Sequence, residues 1–299
     1  MDKEINLFKS GVLVDLNIHK WTAQVKLEPR DLGLKEEDLS TLLKLGTKYL
    51  IPKEYIAPFV NIDAAARRIL SAYSIKFPIG DSAFVPITNF DNLMHDLELV
   101  KKDFELYKKQ FIEKYEELKK QALKQYEEYS YVLKERNNWT EEQRIEFINN
   151  IKAHYKTKEE LEQKIRFEIV VYKINLDVEL ESENVKNIRK MVTERINEFV
   201  RSINQHVINE IKELYNDLLN RKRRRINENI YQIIEKKLKS LKNLNITNNQ
   251  QVNDFIDNTL SEIKSWINKD IDEIKDEIKK ALLKTDKLKI EEPRMKILL

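Results

Sequence analysis

From Phe90 onward the apolar positions fall on a regular grid: Leu93, Leu97, Val100, Phe104, Tyr107, Phe111, Tyr115, Leu118, Ala122, Tyr126, Tyr129 and Leu133. Their mean spacing is about 3.6 residues, the period of an α-helix with one apolar face. Unbroken, a helix of some 45 residues would run ~70 Å. A second grid, from Val185 through Ile188, Val192, Ile196, Phe199, Ile203, Val207, Ile211 and Leu214 to Leu218, predicts another long helix resuming near Ser182. Its spacing of about 3.7 exceeds the 3.5 of a heptad, so straight or weakly right-handed packing is expected rather than a left-handed zipper. Between the grids, Thr140-Glu141-Glu142-Gln143 and Thr157-Lys158-Glu159-Glu160 match the capping box, and each predicts a short helix. Thr247-Asn248-Asn249-Gln250 matches it as well and opens one last helix, striped from Val252 to Leu282.

Alternation with period two appears in two places. Val14, Leu16 and Ile18 predict a strand with one buried face, and Ile174, Leu176, Val178 and Leu180 predict a strand within 166–181. Elsewhere in the first 88 residues, 36–46 reads as helical, and Asn61 is placed to cap an Ala-rich helix over Ile62–Leu70. Ser74–Phe77 and Ala83–Val85, split by Pro78-Ile79-Gly80-Asp81, read as a hairpin.

Composition sharpens this picture. All four glycines and all but one of the six prolines lie before residue 88, and neither type occurs between Pro86 and Pro293. Those residues cost a helix interior ~1 and ~3 kcal/mol, so their absence permits very long helices. The expected fold is mainly α. It is an elongated long-helix bundle or coiled-coil-like body over 89–286, with a short β segment near 166–181. A small N-terminal α+β module (1–88) precedes it, and a charged tail with an apolar end (287–299) follows. Each stripe exposes hydrocarbon along tens of ångströms, at ~25 cal/mol per Å² of burial forgone. The helices must therefore lie on each other, as antiparallel hairpins or in a homo-oligomer.

The charge balance, 54 basic against 51 acidic residues, names no polyanionic partner. The absence of cysteine excludes disulfides, zinc–thiolate sites and thiol nucleophiles, and fits a reducing compartment. Residues 1–20 lack the pattern of a secretory leader, and no run of ~18 apolar residues forms a transmembrane segment. Candidate chemistry is sparse. His19, His95, His154 and His206 are not at ligand spacing, so no metal site is expected. Glu273-Ile274-Lys275 and Glu277-Ile278-Lys279 have the Glu-x-Lys form of a nuclease core. Helical period turns i and i+2 apart, however, and leaves them solvated. Gly46-Thr47-Lys48 lacks the rest of a phosphate loop, and no cofactor motif is present. The aromatic row Phe104, Tyr107, Phe111 and Tyr115, like Trp21, Trp139 and Trp266, reads as core. The sharpest local feature is Arg221-Lys222-Arg223-Arg224-Arg225, a contact for nucleic acid or for a partner's acidic surface. Five consecutive charges touch every face of a helix, so the same run also reads as an exposed bend.

A family resemblance adds to this. Ile18-His19-Lys20-Trp21-Thr22-Ala23, Lys26-Leu27-Glu28-Pro29-Arg30-Asp31-Leu32-Gly33, Leu45-Gly46-Thr47-Lys48, Arg67-Arg68-Ile69-Leu70, Phe77 before the Gly80 turn, and the helix around Phe104 and Phe111 carry it. Over about 12–180 the chain resembles a family of phage and bacterial proteins known as a domain of unknown function, catalogue number 3150. The resemblance implies a setting beside MoxR-type AAA+ ATPases and von Willebrand A domain proteins, and supplies no catalytic residues. The expected function is therefore a non-enzymatic helical scaffold or assembly protein, working with such a partner in a phage or bacterial cytoplasm. The alternatives are a nucleic-acid-binding protein using Arg221–Arg225 and a membrane-active protein that unfurls 166–180.

Overall fold

A computed structural model describes residues 3–6, 10–32, 34, 45–173, 183–221, 225–287 and 295–298. Its elements in chain order are β1 (Lys3–Asn6), β2 (Gly11–His19), β3 (Gln24–Lys26), β4 (Thr47–Tyr49), α1 (Ala57–Tyr73), β5 (Ile75–Lys76), β6 (Ala83–Pro86), α2 (Ile87–Asn137), α3 (Glu141–Ala153), α4 (Lys158–Lys164), β7 (Arg166–Tyr172), α5 (Glu183–Leu219), α6 (Glu228–Leu244), α7 (Gln250–Ser265), α8 (Ile271–Lys287) and β8 (Met295–Leu298). The fold is mainly α, as the periodicity predicts. At 51 residues α2 is the longest helix described, about 75 Å from end to end. Asn138, at φ 53°, ends it in the left-handed conformation that stops helices. Two of the three predicted capping boxes are present: Thr140 and Thr157 accept from the N3 amides of α3 and α4, and Gln143 and Glu160 reach back.

Contacts divide the chain into two compact units. One comprises Met1–Asp15, Arg67–Leu97 and Ile169–Leu299, the other Leu16–Ala66 and Glu98–Glu168. The compositional break at residue 88 thus marks the start of α2, not a boundary between units. Gly and Pro usage reports where helices can run, whereas units are set by contacts between segments distant in sequence.

In the first unit, strands run in the order β5-β6-β2-β7. The predicted hairpin forms, with Ile75 opposite Phe84 and Lys76 opposite Ala83, and Gly80 at φ 75° in its turn. β2 is central, so Gly11–Val14 are buried on both faces instead of one. A Cβ on Gly11 would come within 2.5 Å of the Phe84 ring and of the Val85 carbonyl, so only glycine fits there. Phe77 and Phe84 both meet Phe199 of α5 edge-on, at 5.6 and 5.7 Å between ring centres. From there the core runs along α5–α8 through Ile203, Val207, Ile211, Leu238, Ile256 and Ile278. The stripes close on one another within the chain, α5 against α8 and α6 against α7.

Several details depart from the sequence reading. α1 starts at Ala57, not after Asn61, because Pro58 is tolerated in a first helical turn. The last helix is two: Asn268 at φ 68° turns the chain between α7 and α8, without glycine or proline. Trp266 then donates to Glu277 across the turn at 2.7 Å. Thr247 caps nothing. It is buried and donates to Asn204 and Asn245, while Asn249 caps α7. The stretch read as a tail contributes the last residue of α8 and β8, which pairs parallel with β1, Lys3 opposite Met295. The predicted helix at 36–46 falls at 36–44, and the alternating run at 174–180 falls entirely, outside the described residues.

A buried polar node ties α1, α2 and α6 together within this unit. The fully buried Asn89 amide donates to the Tyr73 carbonyl at 3.1 Å and to the Ser240 carbonyl and hydroxyl at 3.2 Å. Its oxygen accepts from Asn243 at 2.8 Å, and Ser240 donates to the Ala72 carbonyl. Asn89→Ala leaves these groups without their partner. We expect it to lower stability by about 1–3 kcal/mol, read as a lower urea midpoint at unchanged slope. An unchanged midpoint would show that the node carries no stability.

Candidate functional site

The second unit is organised around tyrosines of α2. A buried ring supplies apolar area, but its hydroxyl must find a partner. Here those partners are backbone carbonyls of the segments that cover α2, in turns, loops and the end of β4. Tyr107 donates to Tyr55 at 3.0 Å, Tyr115 to Lys156 at 2.7 Å, Tyr126 to Tyr49 at 2.6 Å and Tyr129 to Asp31 at 3.4 Å. From α3's C-terminal side, Tyr155 donates to Leu50 at 2.7 Å. The predicted core row is core: Phe59 meets Phe104, Tyr107 and Phe111 edge-on, and Trp21 packs on Phe111 and Tyr115. Burial raises the hydroxyl pKa of Tyr107, Tyr115, Tyr126 and Tyr155, with the charge of Asp31 adding to it at Tyr126.

Ala122, Gln125, Tyr126 and Tyr129 share one face of α2, being three, four and seven residues apart. With Tyr49, Ile51 and Pro52 they line a cleft of about 350 Å³. Ile51 and Ala122 are buried beneath it, and Tyr129 is 40% exposed at its edge. The loop wall is held by Asp31 and Lys48, a pair whose side chains are only 5% and 8% exposed. Both Asp31 oxygens accept from Lys48 at 2.7 Å, and one also accepts from the Glu28 amide at 2.6 Å. The cleft therefore has an apolar floor, aromatic walls and one side-chain amide. Among the described residues, none of those lining it is charged.

The first unit holds a second cluster. Tyr73 and Lys236 both donate to one oxygen of Asp96 at 2.7 Å. Burial alone would push the Asp96 carboxyl upward, but the bonds from Lys236 and Tyr73 outweigh it and hold it below the usual range. Lys236 is raised, chiefly by its bond to Asp96, and Tyr73 is raised by burial and by Asp96. Tyr215 is likewise raised by burial, and bonds Thr259 and Glu262 at 3.2 Å. Each of these groups is closed on a neighbour.

Of the predicted contact run, Arg221 and Arg225 are exposed in the connection from α5 to α6, and the backbone of Arg225 pairs antiparallel with that of Asp270 in an isolated β-bridge. Lys222, Arg223 and Arg224 lie outside the described residues. No group of His, Asp or Glu side chains suited to a metal is found among the described residues, and no described helix is long and apolar enough to cross a membrane. Glu273 and Glu277 stand on a helix, where Glu277 serves Trp266. Sequence reasoning counts Tyr126 and Tyr129 into the stripe but misses the cleft. The available signal is the choice of tyrosine over phenylalanine or leucine at four positions of one stripe.

One family model matches the chain, over residues 8–268, and is described as a protein of unknown function (DUF3150). No curated protein and no solved structure matches.

Removing one partner of the buried Asp31–Lys48 pair strands a charge. Asp31→Ala is expected to cost about 3–5 kcal/mol by chemical denaturation, and adding Lys48→Met to recover part of that loss. Strictly additive losses would show that the pair is not coupled. Tyrosines raised in the folded state stabilise it below their unfolded pKa, near 10, and lose that contribution as pH climbs beyond it. Stability should hold up to about pH 10 and then fall, with part of the phenolate absorbance of the 12 tyrosines appearing only on unfolding. Titration of all of them near 10 in the folded protein would contradict this.

Proposed function

Since the chain belongs to the DUF3150 family, we propose that it is a non-enzymatic scaffold or assembly protein, which works by docking other proteins. The observation that carries this reading is the chemistry of the tyrosine cleft. An apolar floor, rings held by their hydroxyls and a lone amide are suited to gripping a segment of another chain. They offer no acid–base pair with which to work on a bond. Tyr73, Asp96, Lys236 and Tyr215, whose pKa values are shifted, support the same reading, because each is bonded to a structural neighbour. The partner class rests on the family resemblance: a MoxR-type AAA+ ATPase, a von Willebrand A domain protein, or both, in a phage or bacterial cytoplasm. A scaffold in such a system would present a client to the ATPase, with an affinity low enough to let it go.

The test is sedimentation of the purified chain mixed with the MoxR-type ATPase and the von Willebrand A protein of its source. We expect co-sedimentation with at least one of them and a changed rate of ATP hydrolysis. Independent sedimentation of all three, at concentrations of tens of micromolar, would refute the proposal.

A further inference from the structure

We infer that the end of the α5–α8 bundle where two interhelix connections meet binds the phosphate backbone of duplex DNA through Arg221 and Arg225, a site that goes beyond the docking reading and does not rest on it. The backbone there is ordered. Arg225 and Asp270 pair in an isolated antiparallel bridge, the Asn268 amide donates to the Ile226 carbonyl at 2.7 Å, and the Ile226 amide donates to the Lys269 carbonyl at 3.4 Å. Ile226 and Trp266 are sealed beneath, at 0% and 2% exposure. The end of the α5–α6 connection is thus fastened to the α7–α8 connection, and Arg225 stands on a fixed base.

Charge is what this base presents. Arg221 and Arg225 are exposed, and neither guanidinium has a hydrogen bond or ion pair among the described residues. Lys264, exposed in the last turn of α7, and Lys269, half-buried in the connection after it, add to the same end. Glu228, Asp270, Asp272 and Glu273 also stand here, but at the starts of α6 and α8, where the helix dipoles partly offset their charge. Asp270 is further engaged by the Asp272 amide at 3.1 Å, and Glu273 by the Asp270 amide at 3.4 Å. Lys222, Arg223 and Arg224 lie between the two arginines in sequence, outside the described residues, and the site is defined without them.

The surroundings of these cations select the partner. Between Asn220 and Gln232, and between Lys264 and Ile274, no large apolar side chain is exposed among the described residues. A protein interface is built round a buried apolar or aromatic anchor, and none is offered here. Trp266 and Tyr231 are buried, so they give no ring on which the unpaired bases of a single strand, DNA or RNA, could stack. A polymer met by charge alone fits this end. Duplex DNA carries one phosphate charge per ~1.7 Å of its axis, and the planar fork of arginine suits phosphate oxygens.

The test titrates a fluorescein-labelled DNA duplex of about 20 base pairs with the full chain, followed by anisotropy between about 50 and 200 mM KCl. We expect saturable binding whose affinity falls about tenfold or more over that range. Arg221→Gln and Arg225→Gln should each weaken binding about threefold to tenfold at low salt, and each make the plot of log affinity against log salt shallower by about one. Arg→Lys at either position should keep the slope, as should Lys124→Gln, which removes an exposed cation of α2. Both arginines are exposed, so the substitutions leave the core intact, which thermal melts verify. No binding at low salt, an unchanged slope in the glutamine variants, or equal affinity for polyglutamate or for a single strand of the same sequence would each overturn the inference. Co-sedimentation with the ATPase or the von Willebrand A protein tests the docking reading separately and is untouched by these outcomes.

Discussion

The stripe along α2 has to be kept from water over its whole length, and this governs much of what the rest of the chain does. A 51-residue helix has no interior of its own, so every turn needs a neighbour. Leu93 and Leu97 are buried in the first unit, and Phe104, Phe111, Tyr115, Leu118 and Ala122 are buried in the second. Loops that would otherwise be unremarkable connections are drawn against the helix for this reason. The stripes of α5–α8 meet the same demand among themselves, α6 against α7, which follows it, and α5 against α8, which does not. Trp266 bonded to Glu277, and Glu262 bonded to Lys284, pin α7 to α8 in antiparallel fashion.

Covering a helix with loops raises a second difficulty. Loop carbonyls lose water when the apolar surface closes over them, and an unmet acceptor there costs about as much as the burial gains. Tyrosine resolves both at once, with its ring in the apolar layer and its hydroxyl on the carbonyl. Tyr107, Tyr115, Tyr126 and Tyr155 repeat this solution around the second unit. The cleft is where the covering stops short. Tyr129 reaches the Asp31 carbonyl only at 3.4 Å and remains open on one side, which leaves aromatic surface accessible.

Features governed by local chemistry were legible from the residues alone. The capping boxes at Thr140 and Thr157, the Gly80 hairpin and the extent of α2 all depend on neighbours in sequence, and all are present. Less legible were positions where asparagine does the work of glycine. Asn138, Asn248 and Asn268 adopt positive φ, and a reading that relies on Gly and Pro as punctuation runs α7 and α8 together across Asn268. Thr247 matched a local pattern but was claimed by Asn204, 43 residues away. α6 went unremarked, although Asn227 caps it and Ile230, Ile234, Leu238 and Leu241 stripe it. The cleft was the least legible, because Tyr49 and Tyr126 are 77 residues apart and no periodicity links them.

The placement of the tryptophans makes the molecule its own optical instrument. Trp266 belongs to one unit, where its indole N–H faces the Glu277 carboxylate, while Trp21 and Trp139 belong to the other. Trp21 is sealed among rings, whereas Trp139 is half-buried against Phe147. Emission from single-tryptophan variants would thus report the melting of each unit in turn, without any label attached.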